Sequence, residues 1–168
     1  MTKLIDGKKI SQEIKEEIKL FCNKLKEEEK QLPGLVTILV GNNPASFSYV
    51  NSKAKTCNEV GMISKVEQLD ESTSEDELIS LIKKYNSDEK FHGILVQLPL
   101  PKHINESNII KFIIPEKDVD GFHPVNVGKL VIGEDTIIPC TPYGIIELLK
   151  RYKIDTSGEH VVVVGRSN

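Results

Sequence analysis

The chain has 168 residues, 39% hydrophobic and 28% charged, a composition that builds a globular core and excludes the disordered regime. Its net charge of −3 gives no electrostatic case for nucleic acid or an anionic membrane surface as a partner. No apolar run approaches the roughly 20 residues that span a bilayer. The N-terminus turns polar at Asp6 before a signal-peptide core could form, and Cys22, Cys57 and Cys140 are too scattered for a disulfide frame or a zinc site. The expectation is a reduced, cytoplasmic protein with one domain and the start of another, since domains run to roughly 100–200 residues.

From Lys8 to Lys30, apolar residues at Ile10, Ile14, Ile18, Cys22 and Leu25 fall at helical spacing, and Lys and Glu fill the remaining faces. Pro33-Gly34 ends this segment. Leu35–Val40 then reads as a strand too apolar for simple alternation, as in a parallel sheet covered on both faces. Ala45 to Val60 predicts a second helix, closed by Gly61, and Ile63–Leu69 a second strand. Ser72 to Glu77 supplies hydroxyl caps and acids for the start of a third helix, running to about Tyr85 with Leu78, Leu81 and Ile82 inward. Gly93–Leu98 predicts a short buried strand, Asn105–Phe112 a short helix, and Pro115–Gly128 a polar loop. Thr141-Pro142 has the pattern of an N-cap followed by N1, and His160–Val164 that of a strand running into a turn at Gly165. Helix and strand alternate at βαβ spacing, so the fold class is α/β with a mainly parallel sheet and helices on both faces.

Three places can carry chemistry. Tyr49 and Lys53 stand four residues apart on the second helix, beside the apolar stripe of Val50, Ala54 and Cys57. An amine sheltered there from bulk water suits general acid–base work; the plain alternative is an exposed helix face. Tyr-x-x-x-Lys also occurs in short-chain dehydrogenases, but there it follows the nucleotide-binding strand, and here it precedes the terminal strand by more than a hundred residues. The second place is Val96-Gln97-Leu98-Pro99-Leu100-Pro101, at the carboxyl end of a strand, where ligands bind in open parallel sheets. Gln97 can donate and accept there, or simply satisfy loop backbone. The third is Pro115–Phe122, with Asp118 and Asp120. It lacks the further acids of a calcium loop, but one carboxylate can hold an amidine-like edge through two parallel hydrogen bonds. Loop capping is the alternative, favoured for Asp118. His92, His103, His123 and His160 lack metal-ligand spacing, and no metal is expected.

Tyr49-x-x-x-Lys53, the Val96–Pro101 run, Pro115–Gly121, Asn126–Leu130, Pro139-Cys140-Thr141-Pro142 and Val163–Ser167 occur in this order across the whole chain. Together they resemble the bifunctional methylenetetrahydrofolate dehydrogenase/cyclohydrolase family. The resemblance implies oxidation of 5,10-methylenetetrahydrofolate by NADP and hydrolysis of the product to 10-formyltetrahydrofolate. It implies Lys53 as the acid–base residue of hydrolysis, aided by Tyr49, which stacks on the folate, and by Gln97, which bonds the lysine. Tyr49, Val96, Gln97, Leu98 and Asp120 would bind substrate, Asp120 through the pterin N–H groups.

The same resemblance implies a folate-binding catalytic domain over 1–138 and the start of a Rossmann-like NADP domain over 139–168. Gly165, Arg166 and Ser167 would open its phosphate loop, with Arg166 meeting the 2′-phosphate. It also implies a homodimer at full length. A single-activity relative and a non-catalytic folate-binding fragment are the alternatives.

Overall fold

Residues 4–165 are described by the structure, a computed structural model. Three strands, β1 (Gly34–Val40), β2 (Ile63–Leu69) and β3 (Gly93–Val96), form a parallel sheet in the order β2-β1-β3. Leu35 lies opposite Ser64 on one side and Gly93 on the other. Parallel neighbours need crossovers. Helix α2 (Pro44–Glu59) carries the chain from β1 to β2, and α3 (Glu75–Asn86) carries it from β2 past β1 to β3.

Strand alternation divides the sheet's side chains between two layers. Val36, Ile38, Val40, Ile94 and Val96 pack with Leu78, Ile79, Ile82 and Tyr85 of α3, and with Ile109 of α4 (Glu106–Ile110). Each fully buried aliphatic side chain in this layer is worth about 1.5–3 kcal/mol. On the other face Thr37 and Leu39 are equally buried, covered by α2 through Val50 and Cys57. Helix α1 (Gly7–Glu27) buries Ile10 and Cys22 only, and Leu20 and Phe21 stay exposed.

Caps set the helix ends. Asn43 accepts from the Ala45 and Ser46 amides at the start of α2, and Ser74 with Glu77 closes a capping box on α3. Gly61, at φ +85°, supplies the left-handed turn after α2.

The first four elements follow the expected boundaries within two residues, apart from the later end expected for α1; α3 starts later than expected, at Glu75, and β3 ends two residues early, at Val96. The segment 115–128 is not a loop. It holds a 3₁₀ turn at Pro115–Lys117 and helix α5 (Pro124–Ile132). Its apolar residues Val125, Val127, Leu130, Val131 and Ile132 are all exposed, so no buried stripe announces it. Its ends are set instead by Pro124 at N1, by His123 Nδ1 accepting from the Val125 amide at 3.1 Å, and by Gly133 at φ +77°. Helix α6 (Cys140–Arg151) begins two residues earlier than expected: Pro139 is the N-cap residue, and Thr141 already lies inside.

The expected strand at 160–164 is not formed. Val161–Val164 are 58–96% exposed and pair with no strand among the described residues, and a strand requires a partner ladder to be stable. Helix α6 is tied back to α1, with the Arg151 guanidinium donating to both Glu17 carboxylate oxygens at 2.7 Å. No helix among the described residues is long and apolar enough to cross a membrane.

Candidate active site

Helix geometry sets how far each α2 side chain is sheltered. Val50 and Cys57 form its buried stripe. At about 100° per residue, Lys53 sits roughly 60° from Val50 and Tyr49 roughly 100° away on the same side. Lys53 is accordingly half-buried, and Tyr49 is 67% exposed.

Strand alternation does the same at the end of β3. Val96 and Leu98 pack against the α3 layer, which turns Gln97 to the opposite face, toward α2. There Gln97 Oε1 accepts from Lys53 Nζ at 3.3 Å. Gln97 Nε2 donates to the Leu98 carbonyl at 2.8 Å. With Nε2 engaged, the amide can offer the lysine only its acceptor.

Asp120 arrives from the loop beyond β3. The main chain at Asp118 pairs in parallel with Ile94, extending the sheet edge. Gly93 has no side chain for a structural reason, since a Cβ there would stand 2.5 Å from Val119 Cγ1. Gly121, at φ +69°, turns the loop under residues 137–139, and a Cβ there would meet the Ile137 carbonyl at 2.8 Å. Val119 and Gly121 are thus both held by close packing, and Asp120 projects between them.

A cavity of about 420 Å³ gathers Lys53, Asp120 and Cys140, with Leu35, Leu95 and Val119 among its apolar walls. Burial pushes the Asp120 carboxyl above the ordinary aspartate range; Lys53 pulls it back down and the neighbouring Asp118 adds to the rise. Burial likewise raises the Cys140 thiol, with Asp120 pushing the same way and Lys53 opposing. One amine and one carboxyl group therefore face a mostly apolar space. That arrangement suits a flat heteroaromatic ligand carrying N–H donors at one end and a reacting carbon near the lysine.

Of the expected residues, Lys53, Gln97 and Asp120 come together. Tyr49, Val96, Gln97 and Leu98 do not line this cavity, and the Val96 and Leu98 side chains face the core instead. Cys140, in the Pro139–Pro142 run, also lines the cavity and is not among the expected site residues. Its position at the first turn of α6 beside the Asp120 loop comes from a tertiary contact that no local pattern carries. Its thiol points to the Val119 carbonyl at 3.7 Å. Gly165 is exposed with open space around it, while Arg166 and Ser167 lie outside the described residues. The valine segment before Gly165 belongs to no sheet among the described residues. No group of His, Cys, Asp and Glu among them could hold a metal ion.

Comparison with known proteins gives a consistent family result. The sequence model of the tetrahydrofolate dehydrogenase/cyclohydrolase catalytic domain matches residues 5–120, and that of the same family's NAD(P)-binding domain matches 139–168. The chain is 56% identical over 167 residues to the bifunctional protein FolD of Chloroherpeton thalassium, covering 98% of this chain and 57% of that protein. It is 55% identical over 165 residues to that of Bacillus subtilis, covering 98% and 58%. The chain thus spans less than two thirds of the length of these relatives.

Among solved structures, the bifunctional FolD of Campylobacter jejuni superposes with a TM-score of 0.88 at 51% identity, over 91% of this chain and 54% of that one. The Trypanosoma brucei dehydrogenase-cyclohydrolase, complexed with NADP cofactor and inhibitor, gives 0.85 at 34% identity, over 90% and 52%.

Proposed function

The chain belongs to the tetrahydrofolate dehydrogenase/cyclohydrolase family, and from that membership we propose that its cavity binds tetrahydrofolate one-carbon derivatives for a two-step conversion. In the first step 5,10-methylenetetrahydrofolate is oxidised to the 5,10-methenyl form, with NADP as oxidant. In the second, water opens the methenyl bridge to give 10-formyltetrahydrofolate. The observation that carries this reading is the Lys53–Gln97 hydrogen bond beside a cavity that also holds Asp120.

Hydrolysis needs proton movement at two atoms. Water adds to the electron-poor methenyl carbon and loses a proton, giving a carbinol bridged between N5 and N10. The carbon–N5 bond then breaks, N5 takes up a proton, and the carbinol oxygen releases its own to become the formyl oxygen on N10. One proton is released overall. Lys53 Nζ accepts the proton from the attacking water and delivers one to N5, an exchange that a positioned amine accelerates typically 10²–10⁴-fold. Gln97 holds that amine by its carbonyl oxygen, fixing the direction of its remaining donors. Asp120 accepts from the pterin amino and ring N–H groups, which aligns the bridge with the lysine. Tyr49, exposed on the same side of α2, stacks on the ring next along the folate.

The domain division at 138/139, the phosphate contacts of Gly165, Arg166 and Ser167, the homodimer and the cytoplasmic location belong to this proposal. The match of 139–168 to the NAD(P)-binding domain supports the division and the cofactor.

Titration calorimetry with tetrahydrofolate tests the site. Saturable binding is expected, weakened in Asp120→Ala by roughly tenfold to a hundredfold, the loss of a hydrogen bond to a charged group. An unchanged dissociation constant in that variant removes Asp120 from the site, and absence of binding by the folded wild type removes the folate.

A further inference from the structure

We propose that Asp118 is a positioning residue for Asp120, closing the 118–123 turn into the conformation that presents Asp120 to the cavity. The inference rests on the reading of that cavity as the folate site. Asp118 is 2% exposed, and a buried carboxylate persists only when its oxygens are well bonded. Its Oδ2 accepts from the His123 amide at 2.7 Å and from Asn126 Nδ2 at 3.0 Å. Its main-chain carbonyl accepts from the Gly121 amide at 3.2 Å. Backbone and side chain of one residue thus close two nested rings, and Asp120 lies inside both.

The closure is braced from behind. Asn126, 3% exposed, also donates to the Pro115 carbonyl at 2.9 Å and accepts from Thr136 Oγ1 at 3.0 Å. Both polar atoms of its amide are engaged, so it cannot turn without breaking a buried bond. The chain Thr136–Asn126–Asp118 therefore links α5 and the segment before α6 to the base of the Asp120 turn. Ordinary capping of α5 does not require this arrangement, because His123 already caps that helix with its own Nδ1.

Asp118 also acts on Asp120 through charge. The titratable groups around Asp120 are Lys53 from α2, Cys140 from α6, Asp118 from its own loop, and His92, just before β3, which lines the same cavity. Lys53 lowers its proton affinity and Asp118 raises it. Replacing Asp118 by the near-isosteric, uncharged Asn removes the opposing charge, so the pH at which Asp120 becomes ionised moves down.

The test is a double-mutant cycle on tetrahydrofolate affinity, measured across pH in Asp118→Asn, Asp120→Ala and the double variant. Asp118→Asn alone is expected to weaken binding about tenfold, the scale of a disturbed charge-assisted hydrogen bond. It is also expected to move the acid limb of the affinity profile to lower pH. Added to Asp120→Ala it is expected to cost nothing further, because a residue acting through Asp120 has no role once Asp120 is gone. A purely structural residue lowers the melting temperature but gives neither the non-additivity nor the pH shift. Thr136→Val serves as a milder variant at the outer end of the same chain, with a smaller loss and the same non-additivity expected. Wild-type affinity in Asp118→Asn, or losses that multiply in the double variant, overturn the inference. An Asp120→Ala variant that binds as tightly as wild type removes Asp120 from the site and overturns the inference, whereas a folded wild type that does not bind tetrahydrofolate overturns the folate reading itself.

Discussion

Gly93→Ala probes the packing that places the loop carrying Asp120. A Cβ at this position would stand 2.5 Å from Val119 Cγ1 and 3.3 Å from Leu35 Cδ1. Carbon atoms in contact sit about 3.5–4.0 Å apart, so Val119 must retreat by about 1 Å or the strand must shift by that much. Overpacking of this kind costs typically 1–3 kcal/mol. Val119 is bonded directly to Asp120, so the loss is expected to appear in ligand affinity as well as stability. Misplacement of a site by about 1 Å can cost on the order of 10²-fold in rate. Denaturant unfolding and tetrahydrofolate calorimetry on the same preparation separate the two effects. Gly7→Ala, where a Cβ meets nothing within 4 Å, is the control and should bind as wild type does. A Gly93→Ala protein with wild-type stability and affinity would refute the claim that this glycine makes room for the loop.

Two further predictions concern Asp120, and a third the start of α2. The Asp120 carboxyl sits above its ordinary value of 3.8, chiefly through burial, so folate affinity should begin to fall at a higher pH than an exposed aspartate would give. For stability the sign is opposite: a raised folded value favours the protonated form, and that favourable contribution is lost as pH rises through it. Asp120→Asn should therefore raise the melting temperature of the free protein at pH 7, by an amount that shrinks as pH approaches 3.8; no gain at pH 7 would contradict the burial cost. Asn43→Ala should cost about 1 kcal/mol by removing the two amide contacts that begin α2, read as a lower urea midpoint with an unchanged slope.

The alternating helices and strands were legible because each buried element carries its own period or a cap. Leu35–Val40 is too apolar for a surface strand, and Ser74 with Glu77 announces α3. Helix α5 was not legible, because its apolar residues face outward and its N-cap is a histidine. The strand at 160–164 has the composition of a buried strand, but four valines do not make one without a neighbour to pair with. At the site, Lys53, Gln97 and Asp120 were readable from the resemblance and from their places on a helix face, a strand end and a loop. The roles of Gly93, Gly121 and Cys140 were not, since each depends on which segment folds against it. The place of Asp118 in a polar stretch predicts a loop cap, and its carboxylate accepts from the His123 amide across the loop that carries Asp120.

The most direct test of catalysis at this site is hydrolysis of 5,10-methenyltetrahydrofolate, followed as loss of its absorbance, with wild type and Lys53→Ala side by side. A rate above the uncatalysed background that disappears in Lys53→Ala, while tetrahydrofolate still binds, is the predicted result. An equal rate in the two proteins, or only the background rate from a folded chain that binds tetrahydrofolate, would contradict the assignment of Lys53.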